Sequence, residues 1–267
     1  VLVLAQPLVT NTTRLAGWQQ IPAPWVQAHD YLVEHQSEGR TLLLPGTGFA
    51  QQTWGWTLEE PLLAWGDTGF VNRSLVPLIP GESIRFIAAL NERAVSGTLG
   101  PEFADLLRRS GIAHVLVRRD LDRSATGSPH PGGIAEGLEQ AGLVSVASFG
   151  PSMDGGPQIE IFEVPRPEDG PRVTTVAETT TISGSTEGVL EALTGGLVDP
   201  DDATVLAGEE GWKATADLVT DTNTRRERAF GSIIDEQSEV LQDGEEYRVD
   251  RAAHNYPASP SPELTAS

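Results

Sequence analysis

Three times in the first 165 residues, an amphipathic stretch opened by proline or glycine ends at a glycine and runs into an apolar segment. The segment "PWVQAHDYLVEHQSE" (24–38) puts Trp25, Ala28, Leu32 and His35 at helical spacing; Pro24 suits a first turn, and Gly39 stands where a helix stops. "RTLLLPG" (40–46) then reads as a buried strand ending in a turn. The pattern returns in "PEFADLLRRSG" (101–111), with Phe103, Leu106 and Leu107 on one face, followed by the strand "IAHVLVRRD" (112–120). It returns again in "GGIAEGLEQAG" (132–142) followed by "LVSVASF" (143–149). "QIEIFEV" (158–164) alternates strictly, which predicts a strand with one wet face. A helical period giving way repeatedly to a strand restricts the chain to a layered α/β fold.

Residues 15–165 are therefore expected to form one α/β domain, closed by "PRPEDGP" (165–171), where proline removes regular hydrogen bonding and charge removes core. A second, smaller α/β unit is expected over 166–247. Its strands are "TTTISG" (179–184), "ATVLAG" (203–208) and "ADLVTD" (216–221), and "STEGVLEALTGG" (185–196) is a helix capped by Ser185. "TNTRRERAFG" (222–231) can begin another helix. Residues 248–267 are Pro/Ser-rich and aperiodic, the composition of a disordered C-terminal linker. At the other end, "VLVLAQPLV" (1–9) has no charged leader and is too short to span a bilayer, which takes about 20 apolar residues. Residues 1–14 are thus either a lead-in strand or the end of a membrane helix, and the missing Met favours a piece of something longer.

Composition removes several classes of function. With 18 basic against 38 acidic residues, the net charge of −20 excludes a nucleic-acid partner and charge-driven docking on anionic lipid. No cysteine is present, so disulfides, thiolate nucleophiles and zinc–thiolate sites are excluded together. The five histidines are scattered without metal-ligand spacing, and "DPDD" (199–202) lacks the rest of a calcium loop, so no metal is expected. "PGTGFAQQ" misses the third glycine of a dinucleotide loop, no P-loop occurs, and "GPSMDG" (150–155) only imitates a nucleophile elbow; no cofactor is expected.

Two constellations remain. In "TWGWTLEEPLLAWGDTGFVNR" (53–73), Trp54, Trp56 and Trp65 lie near Glu59, Glu60, Asp67 and Arg73. Indole faces stack on the apolar faces of sugars, and carboxylates or a guanidinium bond hydroxyls or phosphate. Trp54, Trp56, Glu59, Glu60, Asp67 and Arg73 are accordingly candidate glycan-binding residues; the alternative is that the tryptophans cover the end of a sheet. A long, Gly/Pro-punctuated loop of this kind is typically functional or docked on a partner. In "VTDTNTRRERAFG" (219–231), Asp221 ends a strand and is followed by Arg225 and Arg226. In an open parallel sheet ligands gather at the carboxyl ends of strands, so these three form a candidate anion site. The alternative is a structural latch, with Asp221 capping a helix and the arginines bonded to nearby acids.

Taken in order, "PWVQAHDYL", "GRTLLLPGTGFAQQTWGW", "NRSLVPLIPG", "LRRSGIAHVLVRRDLD", "FEVPRP" and "TDTNTRRERAFG" resemble the extracytoplasmic region of the actinobacterial α-(1→3)-arabinofuranosyltransferases. These are membrane enzymes of the GT-C class that build cell-wall arabinan. The resemblance covers residues 15–235 and implies a soluble region that follows a multi-span membrane domain and precedes carbohydrate-binding sandwich modules. It implies a polyprenyl-phosphate-linked arabinofuranose donor, no nucleotide, and a place on the extracytoplasmic side of the membrane, anchored through the parent's transmembrane domain. The partners it implies are that membrane domain and arabinan or lipid-linked arabinose. The family's catalytic acid is expected in an early loop of the membrane domain, so no residue here is carried over as catalytic, and the chain alone is expected to be inactive.

Overall fold

A computed structural model describes residue 18 and residues 20–73, 81–97, 99–166, 179–184, 186–206 and 216–219. Helix α1 (Ala23–Glu34) leads into strand β1 (Arg40–Leu44), a hairpin of β2 (Ala50–Gln52) and β3 (Gly55–Leu58), and the short strand β4 (Phe70–Val71). Helices α2 (Gly81–Ser96) and α3 (Pro101–Arg109) precede β5 (Ile112–Arg118). After α4 (Arg123–Thr126) and α5 (Gly132–Gln140), strands β6 (Val144–Met153) and β7 (Gly156–Glu163) complete the first sheet. The second sheet consists of β8 (Thr180–Ser183), β9 (Thr204–Leu206) and β10 (Leu218–Val219), with helix α6 (Thr186–Thr194) between β8 and β9.

The first sheet has the order β4-β1-β5-β7-β6. β4, β1 and β5 are parallel, whereas β7 runs antiparallel to both β5 and β6. Period-two alternation splits its apolar residues between two cores. Leu42, Leu44, Val115, Val117 and Phe162 join the core formed with α2, α3 and α5. Leu43, Leu116, Ile159 and Ile161 join Trp25, Ala28 and Leu32 of α1. Because both faces are covered, every residue of β5 is buried. Each fully buried leucine or valine contributes about 1.5–3 kcal/mol relative to exposure.

The second sheet is all parallel, in the order β10-β8-β9. Its helix α6 packs against α2 and α3, and Ile182, Leu190 and Leu193 extend the same apolar cluster that lines the first sheet. Arg109 of α3 donates to the Pro200 carbonyl (3.2 Å) and to Thr204 Oγ1 (2.8 Å), tying β9 to the first unit.

Most expected helices and strands occur within a residue or two of their expected bounds, with instructive differences. The first helix stops at Glu34, and Gln36–Glu38 form a separate 3-10 turn, with His35 Nδ1 against the Tyr31 carbonyl at 2.7 Å. β7 does not keep a wet face: it lies between β5 and β6, with Ile159 and Ile161 in one core and Phe162 in the other. α2 and the β2–β3 hairpin were not anticipated. Residues 1–14, residues 248–267, most of the 165–171 boundary, and Asp221, Arg225 and Arg226 lie outside the described residues.

Candidate functional site at the carboxyl ends of β1 and β5

The chain leaves β1 toward β4 on one side and returns from β4 to β5 on the other, so the strand order reverses at β1. In open α/β sheets that reversal leaves a crevice at the carboxyl ends, where ligands commonly bind. Here the crevice is bounded by Pro45–Thr47 after β1 and by Arg118, Arg119 and Asp120 at the end of β5.

Its centre is filled by an ion pair. Arg118 is fully buried and forms a bidentate bridge to the Glu60 carboxylate, with Nη2 donating to Oε1 at 2.9 Å and Nη1 donating to Oε2. The same guanidinium donates through Nη2 to the Pro45 carbonyl (3.2 Å), linking the ends of β5 and β1 across the reversal. Asn72, just after β4, donates to Glu60 Oε1 at 3.2 Å. Glu60 precedes the 3-10 turn Pro61–Ala64, whose Leu62 is buried in the α1-side core, so packing of that turn fixes the carboxylate. Gly46 is needed at this close approach: a Cβ there would come within 2.6 Å of Arg73 Cβ, and its own N–H donates to Asn91 Oδ1 at 2.6 Å.

Above this pair sits Asp120, also fully buried. Its Oδ2 accepts from Trp25 Nε1 (2.7 Å), Trp54 Nε1 (2.7 Å) and Gln158 Nε2 (3.0 Å). The backbone repeats the connection: Thr53 N donates to the Asp120 carbonyl and Asp122 N to the Gln51 carbonyl, both at 2.8 Å. These bonds pin the β2–β3 hairpin over the sheet end. Beside Asp120, Arg119 donates to the Pro157 carbonyl (2.8 Å) and to Glu160 Oε2 (2.9 Å).

The six residues singled out in the Trp-rich segment occupy three settings. Trp54 and Glu60 belong to the buried network. Asp67 pairs with His29: the imidazole Nε2 lies 2.8 Å from Asp67 Oδ1, Nδ1 lies 3.0 Å from Asp30 Oδ1, and the ring stacks on Trp65 at 4.4 Å. Burial, the largest single influence, pulls the His29 pKa down. Hydrogen bonds to the Asp67 and Asp30 carboxylates, and their charges, together outweigh it, so the pKa lies above the ordinary 6.5. Trp56 and Arg73 are half-buried and Glu59 is exposed. Phe49 and Leu63, on the same connection, are each 50% exposed.

Sequence reading overlooked Trp25, Arg118, Asp120 and Gln158. A signal for two of them existed in "VLVRRD", where an apolar run gives way abruptly to three charged residues. Among the described residues, no group of three or more His, Asp or Glu side chains is placed to hold a metal ion, and no helix is long and apolar enough to cross a membrane.

Comparison with known proteins gives this arrangement a family. The family described as "Alpha-(1->3)-arabinofuranosyltransferase, N-terminal GT-C domain" matches residues 1–254. An α-(1→3)-arabinofuranosyltransferase of Mycolicibacterium smegmatis is 32% identical over 270 residues, covering 88% of this chain and 18% of its own length. Its counterpart from Mycobacterium tuberculosis is 29% identical over 265 residues, covering 89% and 19%. A single-particle cryo-EM structure of the arabinofuranosyltransferase AftD from Mycobacteria superposes with a TM-score of 0.74 at 30% identity, covering 91% of this chain and 20% of that one. A mutant of the same enzyme superposes at 0.75, covering 98% and 23%. The chain spans about a fifth of the length of these relatives. With nearly all of its residues matched in sequence and its fold matched in structure, the chain belongs to the α-(1→3)-arabinofuranosyltransferase GT-C family.

Proposed function

We propose that this chain is an extracytoplasmic accessory region of a membrane arabinofuranosyltransferase that takes part in cell-wall arabinan synthesis. It packs on the membrane domain of the parent protein and presents acceptor glycan along the Trp-rich connection between β1 and β4. The observation that carries this reading is the buried network under that connection. Glu60 and Arg118, together with Trp25, Trp54 and Asp120, fill the crevice where a fold of this type would house chemistry, and they convert a long loop into a fixed surface. On that surface Trp56, Glu59, Asp67 and Arg73 keep partial or full exposure, and Phe49 and Leu63 offer apolar contact to a partner. Preorganised aromatic and polar groups lower the ordering cost of binding a flexible glycan.

A second reading has its own support. Trp54, whose indole N–H is consumed by Asp120, is fitted to hold structure, and a chain built wholly this way is a scaffold that spaces carbohydrate-binding modules without a ligand of its own. Titration with arabinan oligosaccharides, followed by tryptophan fluorescence and heteronuclear NMR, separates the two. Saturable shifts confined to residues 53–73 support glycan presentation. Their absence at millimolar oligosaccharide removes it and leaves the scaffold.

A further inference from the structure

The opposite end of the first sheet is open. Between the amino ends of β1 and β5, helices α2, α3 and α6, and strand β9 lies a cavity of about 520 Å³. Its volume falls within the roughly 300–1,000 Å³ of small-molecule sites, and its position between two packed units is a common one for them. The wall is divided. Phe86, Ile87, Leu90, Leu106, Val189 and Leu206 form an apolar side. Arg40 and Arg109 stand among the hydroxyls of Ser83, Ser110, Thr186 and Thr204 on the other. Among the described residues no carboxylate lines the cavity, although the chain as a whole carries a net charge of −20. Asp105, Asp201 and Asp202 act on Arg109 from outside that lining, so the acids stand around the cavity and the two guanidiniums stand at its wall.

The two arginines differ in how they are held. Arg109 is anchored by its bonds to Pro200 and Thr204, which fix its guanidinium at the wall. Arg40 is exposed, and among the described residues no partner holds its guanidinium, which carries five donors. A planar guanidinium matches a carboxylate or phosphate through paired hydrogen bonds, and an apolar wall beside it accepts a hydrocarbon body. We infer that this cavity binds an amphiphile with a single anionic headgroup, the head at Arg40 and Arg109 and the apolar body against α2, α3 and α6. The site is separate from the Trp-rich surface and does not depend on the function proposed for it.

The test is isothermal titration of the whole chain with decyl phosphate, decanoate and decanol, each kept below micelle formation. The two anions are expected to bind once per chain, and decanol roughly tenfold more weakly or worse, the loss expected when a charge-assisted contact is removed. Arg40→Gln, at an exposed position, is expected to weaken both anions by a similar factor while leaving decanol unchanged. Val189→Phe, which fills the apolar side, is expected to weaken all three, with a thermal melt confirming that it folds. Tighter binding of the phosphate would identify a phospholipid-like source, and tighter binding of the carboxylate a fatty acid. Non-saturable binding, equal affinity for decanol and the anions, or an Arg40→Gln variant with undiminished anion affinity would overturn the inference.

Discussion

Replacing Glu60 by glutamine tests the claim that the strand-end crevice is closed by the chain itself. Glu60 is 4% exposed and Arg118 fully buried, so the pair is shielded from solvent. Glutamine preserves the shape of the side chain but removes the charge and turns one acceptor into a donor facing the guanidinium. Arg118 would then keep the Pro45 carbonyl and at best one side-chain acceptor. Breaking a buried pair from one side costs about 3–5 kcal/mol, because the remaining charge is left desolvated. At about 2–4 °C per kcal/mol for a chain of this size, the melting temperature should fall by about 6–20 °C. Urea unfolding followed by tryptophan fluorescence should show a lower midpoint with an unchanged slope, the mark of lost stability without a change in exposed surface. The double replacement of Glu60 by leucine and Arg118 by methionine should recover most of the loss, since apolar substitutes for a buried pair are often neutral. A loss below about 1 kcal/mol for Glu60→Gln would refute the reasoning, placing the pair among solvent-screened bridges.

Three further expectations follow from individual contacts. Asp120→Asn should destabilise the chain by about 1.5–3 kcal/mol and raise the exchange rate of the Trp25 and Trp54 indole protons, measured by NMR, because both bond to the one carboxylate oxygen. The His29 pKa is raised on folding, so its stabilising contribution is full below the unfolded value and is lost as pH rises through the folded one. Denaturation midpoints should therefore contain a component that falls on going from about pH 6 to 8 and vanishes in His29→Gln. Gly39→Ala should lower stability by about 1–3 kcal/mol in the same assay: Gly39 has φ +147°, and a Cβ there would meet the Gly111 carbonyl at 2.9 Å.

The layered α/β fold was legible because helix α3 and strands β1 and β5 state their periods openly. "PEFADLLRR" buries Phe103, Leu106 and Leu107, as its spacing requires, and after the exposed Arg40 "TLLL", like "IAHVLVR", has no face left for water. α2 was harder to see. Its buried positions Ile87, Leu90 and Ala94 have helical spacing, but they follow the proline-punctuated stretch "SLVPLIPG" and are interleaved with Arg85, Asn91, Glu92 and Arg93. The β2–β3 hairpin was hidden for a different reason. Its short strands carry little apolar alternation and are held by bonds to the Asp120 segment some seventy residues away, which no local pattern reports.

The candidate site was legible only as a list of residue types. Tryptophans and acids in one loop announced a special segment, but their partners lie elsewhere in the chain. Trp54 meets Asp120, Glu60 meets Arg118, and Asp67 meets His29. Spacing within 53–73 could not distinguish residues that hold the loop from those that face outward, because that division depends on tertiary packing.

The proposed function makes the Trp-rich connection a fixed surface, with Phe49 and Leu63 meeting the rest of the parent protein beside the residues that face glycan. Hydrogen exchange of this chain, measured alone and within a full-length family member, tests it most directly. The account predicts that the amides of β1, β5 and β7 exchange alike in both, while residues 47–73, carrying Phe49, Trp56 and Leu63, gain protection in the full-length protein. Unchanged exchange across 47–73, with new protection only on other faces, would contradict it.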